Sequence, residues 1–532
     1  MSGKFNKIYL PILFALILVI GMFLGKSLNK NPYQNYTHLI QPDNKLSRVV
    51  SYIENRYVDT ILRSKLEEAA IPALLGELDP HSVYIPVSEI QSVNEDMRGN
   101  FEGIGVVFNH QTDTVIIISV ITGGPSDKLG VLAGDRIIRV NDSLIAGKNM
   151  SSNDIVGMLK GEKGTMVKVS LERENVPELI EIEIIRDKIP LYSVDVSYMI
   201  NEEIGYIKIN RFAETTFDEF VDGVKKLKKS NIKKLILDLR GNTGGYMIAA
   251  TNIVDQFLEA GKLIVYTQGK ASPRQEIFST ARGVCKDLEV IVLQDEFAAS
   301  ASEILSGAIQ DNDRGKIIGR RSFGKGLVQE PYQLSDGSVI RLTIARYYTP
   351  TGRSIQKPYG DDKTEYYNDL NERYKNGEFS QADSIHFVDS LKYVTPEGNV
   401  VYGGGGIMPD VFVPLDTTGY SRYYAETIRK GGLYNFAFEY VNKNRNELIK
   451  YKDAKAINDY LESVNILNQF VEFAEDNGVS RSAKGFNKSK HLLNTKLKAN
   501  IARNIIDNDG FYPIIQDIDT TLKTAINYFK SN

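Results

Sequence analysis

The sequence predicts an α/β protein whose central sheet is mainly parallel and covered by helices. Three observations support this fold class. Short β-branched runs alternate with segments of helical apolar spacing between residues 189 and 349, which is the pattern of a parallel sheet. Short strands separated by Gly, Asn and Asp turns precede this stretch, and a helical stretch follows it from about Gly419. At roughly 150 residues per domain, a chain of 532 residues holds three or four folded units.

The composition excludes several classes of protein. Lys+Arg 64 against Asp+Glu 67 leaves a net charge of −3, so there is no excess of cations to bind nucleic-acid phosphates. Cys285 is the only cysteine, which excludes an intrachain disulfide and a cysteine-based zinc site. The 5 histidines are scattered without a metal-binding pair. We therefore predict no metal site.

An uncharged apolar run, Ile8–Gly25, lies near the start of the chain between Lys7 and Lys26. As a helix it would be about 27 Å long, which is enough to cross the core of a bilayer. A cleavable signal peptide is the alternative, but no clear small-residue cleavage site follows the run. The N-terminal lysines favour a cytoplasmic N-terminus. We therefore predict that residues 1–27 form a single-pass anchor in the cell inner membrane, with the rest of the chain on the extracytoplasmic (periplasmic) side.

The region between the predicted anchor and the core divides into two parts. Residues 28–95 are predicted to form a polar tether and then a helical region, because apolar residues recur at helical spacing from Leu46 to Leu75. Residues 96–187 are predicted to form a small strand-rich domain. Its predicted strands are Gly105–Phe108, Val115–Val120, Arg136–Val140, Met166–Leu171 and Ile180–Ile185, and its helices are Ser126–Leu129 and Ser152–Leu159.

Residues 188–415 are predicted to form the α/β core, and residues 416–532 a helical C-terminal extension without a chemical motif. The predicted strands of the core are Ile204–Ile209, Lys234–Asp238, Glu289–Leu293, Lys316–Ile318 and Ser338–Arg346. Its predicted helices are Thr216–Lys229, Tyr246–Phe257 and Ser300–Gln310.

Three motifs in the core each follow or adjoin a predicted strand. They are LDLRGNTGG (237–245), AASASEILSG (298–307) and SFGKGLVQ (322–329). In open α/β sheets the carboxyl ends of parallel strands share one edge, and ligands bind there. We therefore expect the three motifs to meet at one site.

Ser300 starts a predicted helix directly after an apolar strand, and two interpretations fit it. With Glu303 it matches a capping box, in which a serine satisfies free backbone donors. The same position suits a nucleophile, because the helix dipole and nearby N–H groups stabilise an oxyanion. The Ala301 amide would then supply half of an oxyanion hole and Gly244 or Gly245 the other half. The glycine pair is equally explained as a sharp turn alone.

A serine nucleophile needs a base, and no histidine lies near these motifs in the sequence. Lys325 is the candidate, because its apolar neighbours Phe323 and Leu327 would desolvate the amine and lower its pKa. A solvated surface lysine is the alternative. Residues 319–325 also fit the start of a phosphate-binding loop. However, Gly326 stands where Ser or Thr would bind magnesium, so that interpretation fails.

Together these segments resemble the carboxyl-terminal processing peptidases (tail-specific proteases), which are serine peptidases with a Ser/Lys dyad. Three further stretches match the family: LDPHS (78–82), DNDRG (311–315) and GIMPD (406–410). The resemblance implies a crotonase-like peptidase core. In it Ser300 is the nucleophile, Lys325 is the base, and Gln329 is the residue that orients the lysine.

The family places a PDZ domain before this core. FEGIGV (101–106) resembles its carboxylate-binding loop, in which backbone N–H groups hold the terminal carboxylate while the peptide adds as a strand. The resemblance therefore implies that substrate binds at Gly103, Ile104, Gly105 and Val106. An ordinary turn before a strand is the alternative.

The sequence thus predicts a membrane-anchored extracytoplasmic serine endopeptidase that recognises protein C-terminal tails through its PDZ domain and needs no cofactor. Its expected partners are proteins or peptides with free C-terminal tails, the membrane, and either a second copy of the chain or a regulatory adaptor, but no nucleic acid. One alternative is a non-catalytic PDZ adaptor for exported proteins. Another is a crotonase-like acyl-CoA enzyme, although a membrane anchor argues against chemistry on cytoplasmic CoA. The resemblance covers about residues 45–415.

Overall fold

The computed structural model describes residues 15–20, 45–111, 114–121, 123–173, 176–360, 362–385 and 389–531. The chain divides into two compact units, residues 1–76 and 77–532. None of the helices described is long and apolar enough to cross a membrane. The predicted anchor, residues 1–27, lies outside the described residues except for residues 15–20, which are helical.

From residue 45 onward, the first unit contains two helices, α1 (Lys45–Arg56) and α2 (Arg63–Gly76). The helical character predicted from Leu46 to Leu75 is confirmed. The structure has two helices there instead of one continuous helix. The connection between them contains β-branched Val58, Thr60 and Ile61, whose side chains lower helix propensity. The predicted tether before α1 lies outside the described residues.

The second unit begins with β1 (Val83–Ile85) and α3 (Val87–Arg98), a helix that the sequence did not predict. The helix starts after Pro86 and ends at Gly99, which adopts a left-handed conformation with φ 72°. The Gly99 amide donates to the carbonyl of Glu95, so a glycine cap closes the helix.

The predicted strand-rich domain follows, and its strands and helices are confirmed. In chain order it consists of β2 (Asn100–Gly103), β3 (Val106–Gln111), β4 (Thr114–Val120), α4 (Pro125–Lys128), β5 (Arg136–Val140), β6 (Ser143–Leu144), α5 (Ser152–Leu159), β7 (Met166–Glu172), β8 (Ile180–Ile185) and β9 (Asp187–Pro190). Antiparallel pairing orders the sheet β3-β4-β5-β7-β8, with β6 on β5, and β2 pairs with β9. Val115 and Ile117 alternate toward the core and pack in one cluster with Ile155 of α5.

The α/β core contains strands and helices in alternation. They are β10 (Val194–Met199), β11 (Ile204–Ile209), α6 (Thr216–Lys228), β12 (Lys234–Asp238), α7 (Met247–Asp255), β13 (Leu263–Gln268), β14 (Gln275–Phe278), β15 (Glu289–Gln294), α8 (Ala301–Asp311), β16 (Gly315–Gly319), β17 (Leu327–Gln333), β18 (Val339–Tyr348), α9 (Thr364–Lys375), β19 (Lys392–Val394), β20 (Val400–Tyr402) and β21 (Val411–Phe412). The central sheet has the order β10-β11-β12-β15-β16-β21, and only its β10–β11 pair is antiparallel. Every residue of β11 is buried, as expected for a strand covered on both faces. The predicted mainly parallel sheet is confirmed.

A second, antiparallel sheet was not predicted. Its order is β1-β18-β13-β14, and β17 also pairs with β18. β17 mixes exposed polar residues with Pro331, which is tolerated only because β17 lies at a sheet edge. Such a strand lacks the alternation of apolar and polar residues by which strands are recognised in a sequence.

The C-terminal helical region, residues 422–531, confirms the predicted helical extension. Its helices are α10 (Arg422–Arg429), α11 (Gly432–Leu448), α12 (Ala454–Ser463), α13 (Ile466–Asp476), α14 (Ala483–Ile515) and α15 (Thr520–Ser531). α10 to α14 share their own apolar core, in which Phe436 and Phe470 lie with ring centroids 5.5 Å apart. Leu522 and Phe529 of α15 instead pack with residues of the central sheet.

Candidate active site

A cleft of about 770 Å³ lies at the ends of β12 and β15. Ser300, Lys325 and Gln329 all line it, so the structure brings together the three residues predicted to carry the chemistry. Apolar side chains form much of the remaining wall: Ile85, Ile90, Val93, Met97, Met247 and Ile248. Walls of this kind limit water and strengthen electrostatic interactions between the groups inside.

Ser300 occupies a strained turn at the start of α8. Its dihedral angles, φ 55° and ψ −114°, lie outside the regions that L-residues normally adopt, which costs about 1–3 kcal/mol. The Ser300 amide donates to Oε2 of Glu303 at 2.8 Å, which is one bond of a capping box. The two interpretations of Ser300 are therefore compatible, because the residue starts the helix and also lines the cleft.

Lys325 is bound by a side chain that is itself fixed. Its Nζ donates to Oε1 of Gln329 at 3.2 Å, and Nε2 of Gln329 donates to the backbone carbonyl of His81. This second bond orients the amide so that its oxygen faces the lysine. Burial of the amine, followed by the positive charge of Arg341, lowers the pKa of Lys325. The lysine is therefore not a solvated surface residue.

One buried carboxylate holds the two segments that carry Ser300 and Lys325. Glu303 is 0% exposed, and its Oε2 accepts hydrogen bonds from the amides of Ser300 and Lys325, each at 2.8 Å. Its Oε1 accepts from the Gly324 amide at 2.7 Å and from the Ser322 hydroxyl at 2.6 Å. Burial raises the pKa of Glu303, and these hydrogen bonds oppose that effect. From the sequence, the S-x-x-E pattern indicated only the capping part of this role.

Tyr347 makes a second link between the same two segments. Its hydroxyl lies 3.1 Å from the carbonyl oxygen of Ser300 and 2.8 Å from that of Lys325. The ring is buried in the main core and comes from β18, in the sheet that was not predicted. No sequence pattern marked this residue. Glu303 thus binds the backbone amides of Ser300 and Lys325, and the hydroxyl of Tyr347 contacts their backbone carbonyls.

The structure distinguishes the two glycines proposed for the oxyanion hole. Each needs the absence of a side chain: a Cβ on Gly244 would lie 2.8 Å from the Cβ of Ser300, and one on Gly245 would lie 2.1 Å from a backbone oxygen of Phe212. The Gly244 amide donates to Oδ1 of Asn242 at 2.9 Å and is therefore occupied. Among the described residues, the Gly245 amide donates to no other group. Gly245 is the better donor to pair with Ala301, which also lines the cleft.

A histidine lies beside the predicted base in the structure, although none lies near these motifs in the sequence. His81 is brought to Lys325 by tertiary folding, and its Nε2 lies 2.6 Å from the hydroxyl of Tyr366. Burial and the charge of Lys325 lower the pKa of His81 to about 4. The ring is therefore neutral at physiological pH. The part of His81 that serves the site is its backbone carbonyl, which accepts the hydrogen bond from Gln329.

No group of acidic, cysteine or histidine side chains that could hold a metal ion occurs in the described part of the chain. A larger cavity, of about 1020 Å³, lies between the strand-rich domain and α11, and it contains none of the residues predicted for the site.

The predicted carboxylate-binding loop connects β2 to β3. Gly103 ends β2, Ile104 is buried, and the Ile104 carbonyl accepts from the amide of Ser126 at 3.1 Å and from its hydroxyl at 2.6 Å. Gly105 is left-handed with φ 78°, and Val106 begins β3. Among the described strands, β3 is the edge of its sheet. An extended peptide can therefore add to β3 with its end at this loop.

Comparison with known proteins gives matches to three parts of the chain. Residues 203–363 match Peptidase family S41, residues 103–184 match a PDZ domain, and residues 423–507 match a family of unknown function (DUF8443). The first two matches cover most of the strand-rich domain and much of the α/β core.

Individual relatives agree with these matches. The chain is 34% identical over 355 residues to a carboxy-terminal-processing protease of Bartonella bacilliformis, covering 64% of this chain and 80% of the relative. It is 35% identical over 314 residues to the carboxy-terminal processing protease CtpA of Bacillus subtilis, covering 59% and 66%. A solved structure, the PDZ domain of a carboxy-terminal protease from Vibrio cholerae in complex with peptide, is 34% identical with a TM-score of 0.16 and covers 17% of this chain and 99% of that one.

Proposed function

Because the chain belongs to the carboxy-terminal processing proteases of peptidase family S41 and is thus a serine peptidase with a PDZ domain, we propose that it cleaves the tails of proteins with Ser300 as nucleophile and Lys325 as base. One observation carries this assignment: the buried amine of Lys325 and the strained Ser300 line the same cleft and share Glu303 as a backbone acceptor. Family membership disfavours the acyl-CoA alternative.

The proposed reaction has two halves. Oγ of Ser300 attacks the scissile carbonyl carbon, while neutral Nζ of Lys325 takes the hydroxyl proton. The Ala301 and Gly245 amides bind the resulting oxyanion, and the dipole of α8 adds to that stabilisation. Lys325 then gives the proton to the departing amine, and a water molecule hydrolyses the acyl-enzyme by the same route. Gln329 acts as a positioning residue that keeps Nζ oriented.

Substrate capture is proposed to begin at the PDZ domain. Amides of the loop 103–106 would bind the terminal carboxylate, and the peptide would pair with the free edge of β3. Residues 96–187 are the proposed PDZ domain and 188–415 the proposed peptidase core. A second copy of the chain or a regulatory adaptor as a further partner stays a prediction.

We also propose that the enzyme is anchored in the inner membrane with its catalytic part on the extracytoplasmic side. The support is the uncharged run Ile8–Gly25 and the lysines before it. Two measurements on spheroplasts test this proposal. A protease added to intact spheroplasts digests the outward-facing part of the enzyme. Without added protease, an anchored enzyme sediments with the membranes. A protein found in the soluble cytosolic fraction would contradict it.

Tail recognition is tested with two peptides of one sequence that end in apolar residues, one with a free carboxylate and one with a carboxamide. We expect kcat/KM to be about 10–100-fold higher for the free acid, since the amide loses charge-assisted hydrogen bonds to the loop. Equal cleavage of both peptides would contradict tail recognition. Binding of the free acid without hydrolysis would favour the non-catalytic adaptor.

The rate of hydrolysis is expected to increase with pH as Lys325 loses its proton. Because the pKa of Lys325 is lowered, this increase begins at a lower pH than an ordinary lysine would give. Arg341→Gln removes a positive charge that disfavours the charged amine, so the pKa of Lys325 rises and the increase moves to higher pH. The measurement is kcat/KM against pH. Arg346→Gln is the matched control, because Arg346 is an exposed arginine of the same strand. An identical pH profile for Arg341→Gln and wild type would refute the electrostatic argument.

A further inference from the structure

The C-terminal helical region has no part in the proposed mechanism, yet it reaches the core close to the active site. Leu522, Ala525 and Phe529 of α15 pack with Ile236 and Ile291 of the central sheet. The residue just before α15 is Asp519, whose side chain accepts hydrogen bonds from Arg240, two residues beyond β12. This contact links the region to the glycine turn of the cleft.

Asp519 forms a two-pronged ion pair with Arg240. Nη1 of Arg240 donates to Oδ1 of Asp519 at 2.8 Å, and Nη2 donates to Oδ2 at 2.6 Å. The same guanidinium binds Asp238, with Nε 3.0 Å from each carboxylate oxygen. The side chains of Arg240, Asp519 and Asp238 are 21%, 19% and 1% exposed, so water and salt screen these charges little.

Lys208 contributes a second cation to this cluster. Nζ of Lys208 lies 3.3 Å from Oδ1 of Asp238 and also donates to the backbone carbonyl of Arg240. Two cations, Lys208 and Arg240, therefore share the carboxylates of Asp238 and Asp519. A third carboxylate, that of Asp295, lies near Lys208, so the role of Asp519 is specific to Arg240, and removing one partner of a largely buried ion pair is unfavourable.

Arg240 directly precedes the turn Gly241–Gly245, which carries the proposed oxyanion donor. Within the turn, Oδ1 of Asn242 holds the Gly244 amide, and the Asn242 carbonyl accepts from the hydroxyl of Ser302 at 2.8 Å. The turn is thus tied to α8 through Ser302, to Asp295 through the Gly241 amide, which donates to its Oδ1 at 2.9 Å, and to Arg240 through the backbone. The backbone from Arg240 to Gly245 connects the guanidinium that Asp519 binds with the proposed oxyanion donor.

We propose that Asp519 is a positioning residue for the oxyanion turn 241–245, so that the C-terminal helical region completes the active site. The inference rests on the proposed role of the Gly245 amide. It assigns to this region a part in the chemistry, in addition to covering the sheet. Asp519 acts through Arg240 and touches no substrate.

The test uses the full-length protein with Asp519→Ala and Asp519→Glu. Asp519→Ala is expected to lower kcat about 10–100-fold with KM changed less than about twofold, because a misplaced oxyanion donor weakens the transition state and not substrate binding. Affinity for a peptide aldehyde, which forms a tetrahedral adduct with Ser300, is expected to fall by a factor similar to that in kcat. Asp519→Glu keeps the charge and is expected to restore part of both.

Phe529→Ala is the control for stability, because it removes packing of α15 and leaves the ion pair. Asp517→Asn is the control for charge, since Asp517 lies two residues away and is 63% exposed. A kcat loss in Phe529→Ala equal to that in Asp519→Ala at matched Tm would overturn the proposal, as would an unchanged kcat in Asp519→Ala. If Ser300→Ala is inactive while Asp519→Ala keeps its kcat, only this inference fails; an active Ser300→Ala refutes the dyad itself.

Discussion

Replacing Ser300 with alanine is expected to lower kcat by at least about 10³-fold, because no acyl-enzyme forms without the hydroxyl. Alanine and serine meet the same steric cost at φ 55°, so Tm is expected to stay close to that of the wild type. Binding of a tail peptide to the PDZ domain is also expected to persist. Steady-state hydrolysis of a free-acid peptide, peptide binding and thermal unfolding of the variant measure these three outcomes.

Lys325→Ala is expected to cause a similar loss, and the double variant no greater loss, because the two residues act as a unit. Lys325→Arg does not rescue activity, since a guanidinium keeps its proton and cannot act as a base. Ser306→Ala is the matched control: Ser306 lies in the same helix, is buried, and its hydroxyl has no described hydrogen-bond partner. Hydrolysis retained by Ser300→Ala or Lys325→Ala would refute the Ser/Lys mechanism.

Glu303→Gln is expected to reduce both stability and kcat, although it changes only one atom. Each carboxylate oxygen accepts two hydrogen bonds, so an NH₂ group in place of either oxygen faces two donors. Two buried donors without acceptors cost about 2–6 kcal/mol in the free energy of unfolding. The affected donors include the Ser300 and Lys325 amides or their neighbours, so the two catalytic segments separate.

Thermal unfolding and kcat are the measurements for Glu303→Gln, and Glu365→Gln is the control at an exposed position of α9. We expect the control to match the wild type in both. Full activity of Glu303→Gln with a lowered Tm would show that the buried carboxylate supports the fold alone and not the relative position of Ser300 and Lys325.

Local patterns were enough to predict much of the fold. Strands such as Lys234–Asp238 and Ile180–Ile185 have their predicted bounds, because continuous or alternating β-branched runs between turns are determined by neighbouring residues. α3 was missed because it is short and polar on most of its surface, and a proline before it is a weak signal. The antiparallel sheet was missed because β17 owes its conformation to pairing with β18 and lacks an apolar alternation, although Asp336-Gly337 between the two strands is a hairpin signal.

The predicted site shows the same division. Motif order placed Ser300, Lys325 and Gln329, each of which has a local or family signal. Tyr347 and Asp519 had none, because their contacts join residues distant in sequence and depend on the tertiary fold. The choice between the two glycines likewise required the hydrogen bond of Asn242 to the Gly244 amide, which a sequence does not display.

The ion pair between Asp519 and Arg240 has a consequence for the timing of biosynthesis. Residues 237–329, which contain all three motifs, are translated before Asp519. During that interval Arg240 lacks its ion pair with Asp519, and the turn that follows Arg240 lacks its link to the C-terminal helical region. A nascent chain therefore contains both residues of the proposed dyad before Arg240, at the start of its oxyanion turn, binds Asp519. With the proposed role of Asp519, the order of the segments along the chain keeps kcat about 10–100-fold below its full value until α15 has been synthesised and has docked on the sheet.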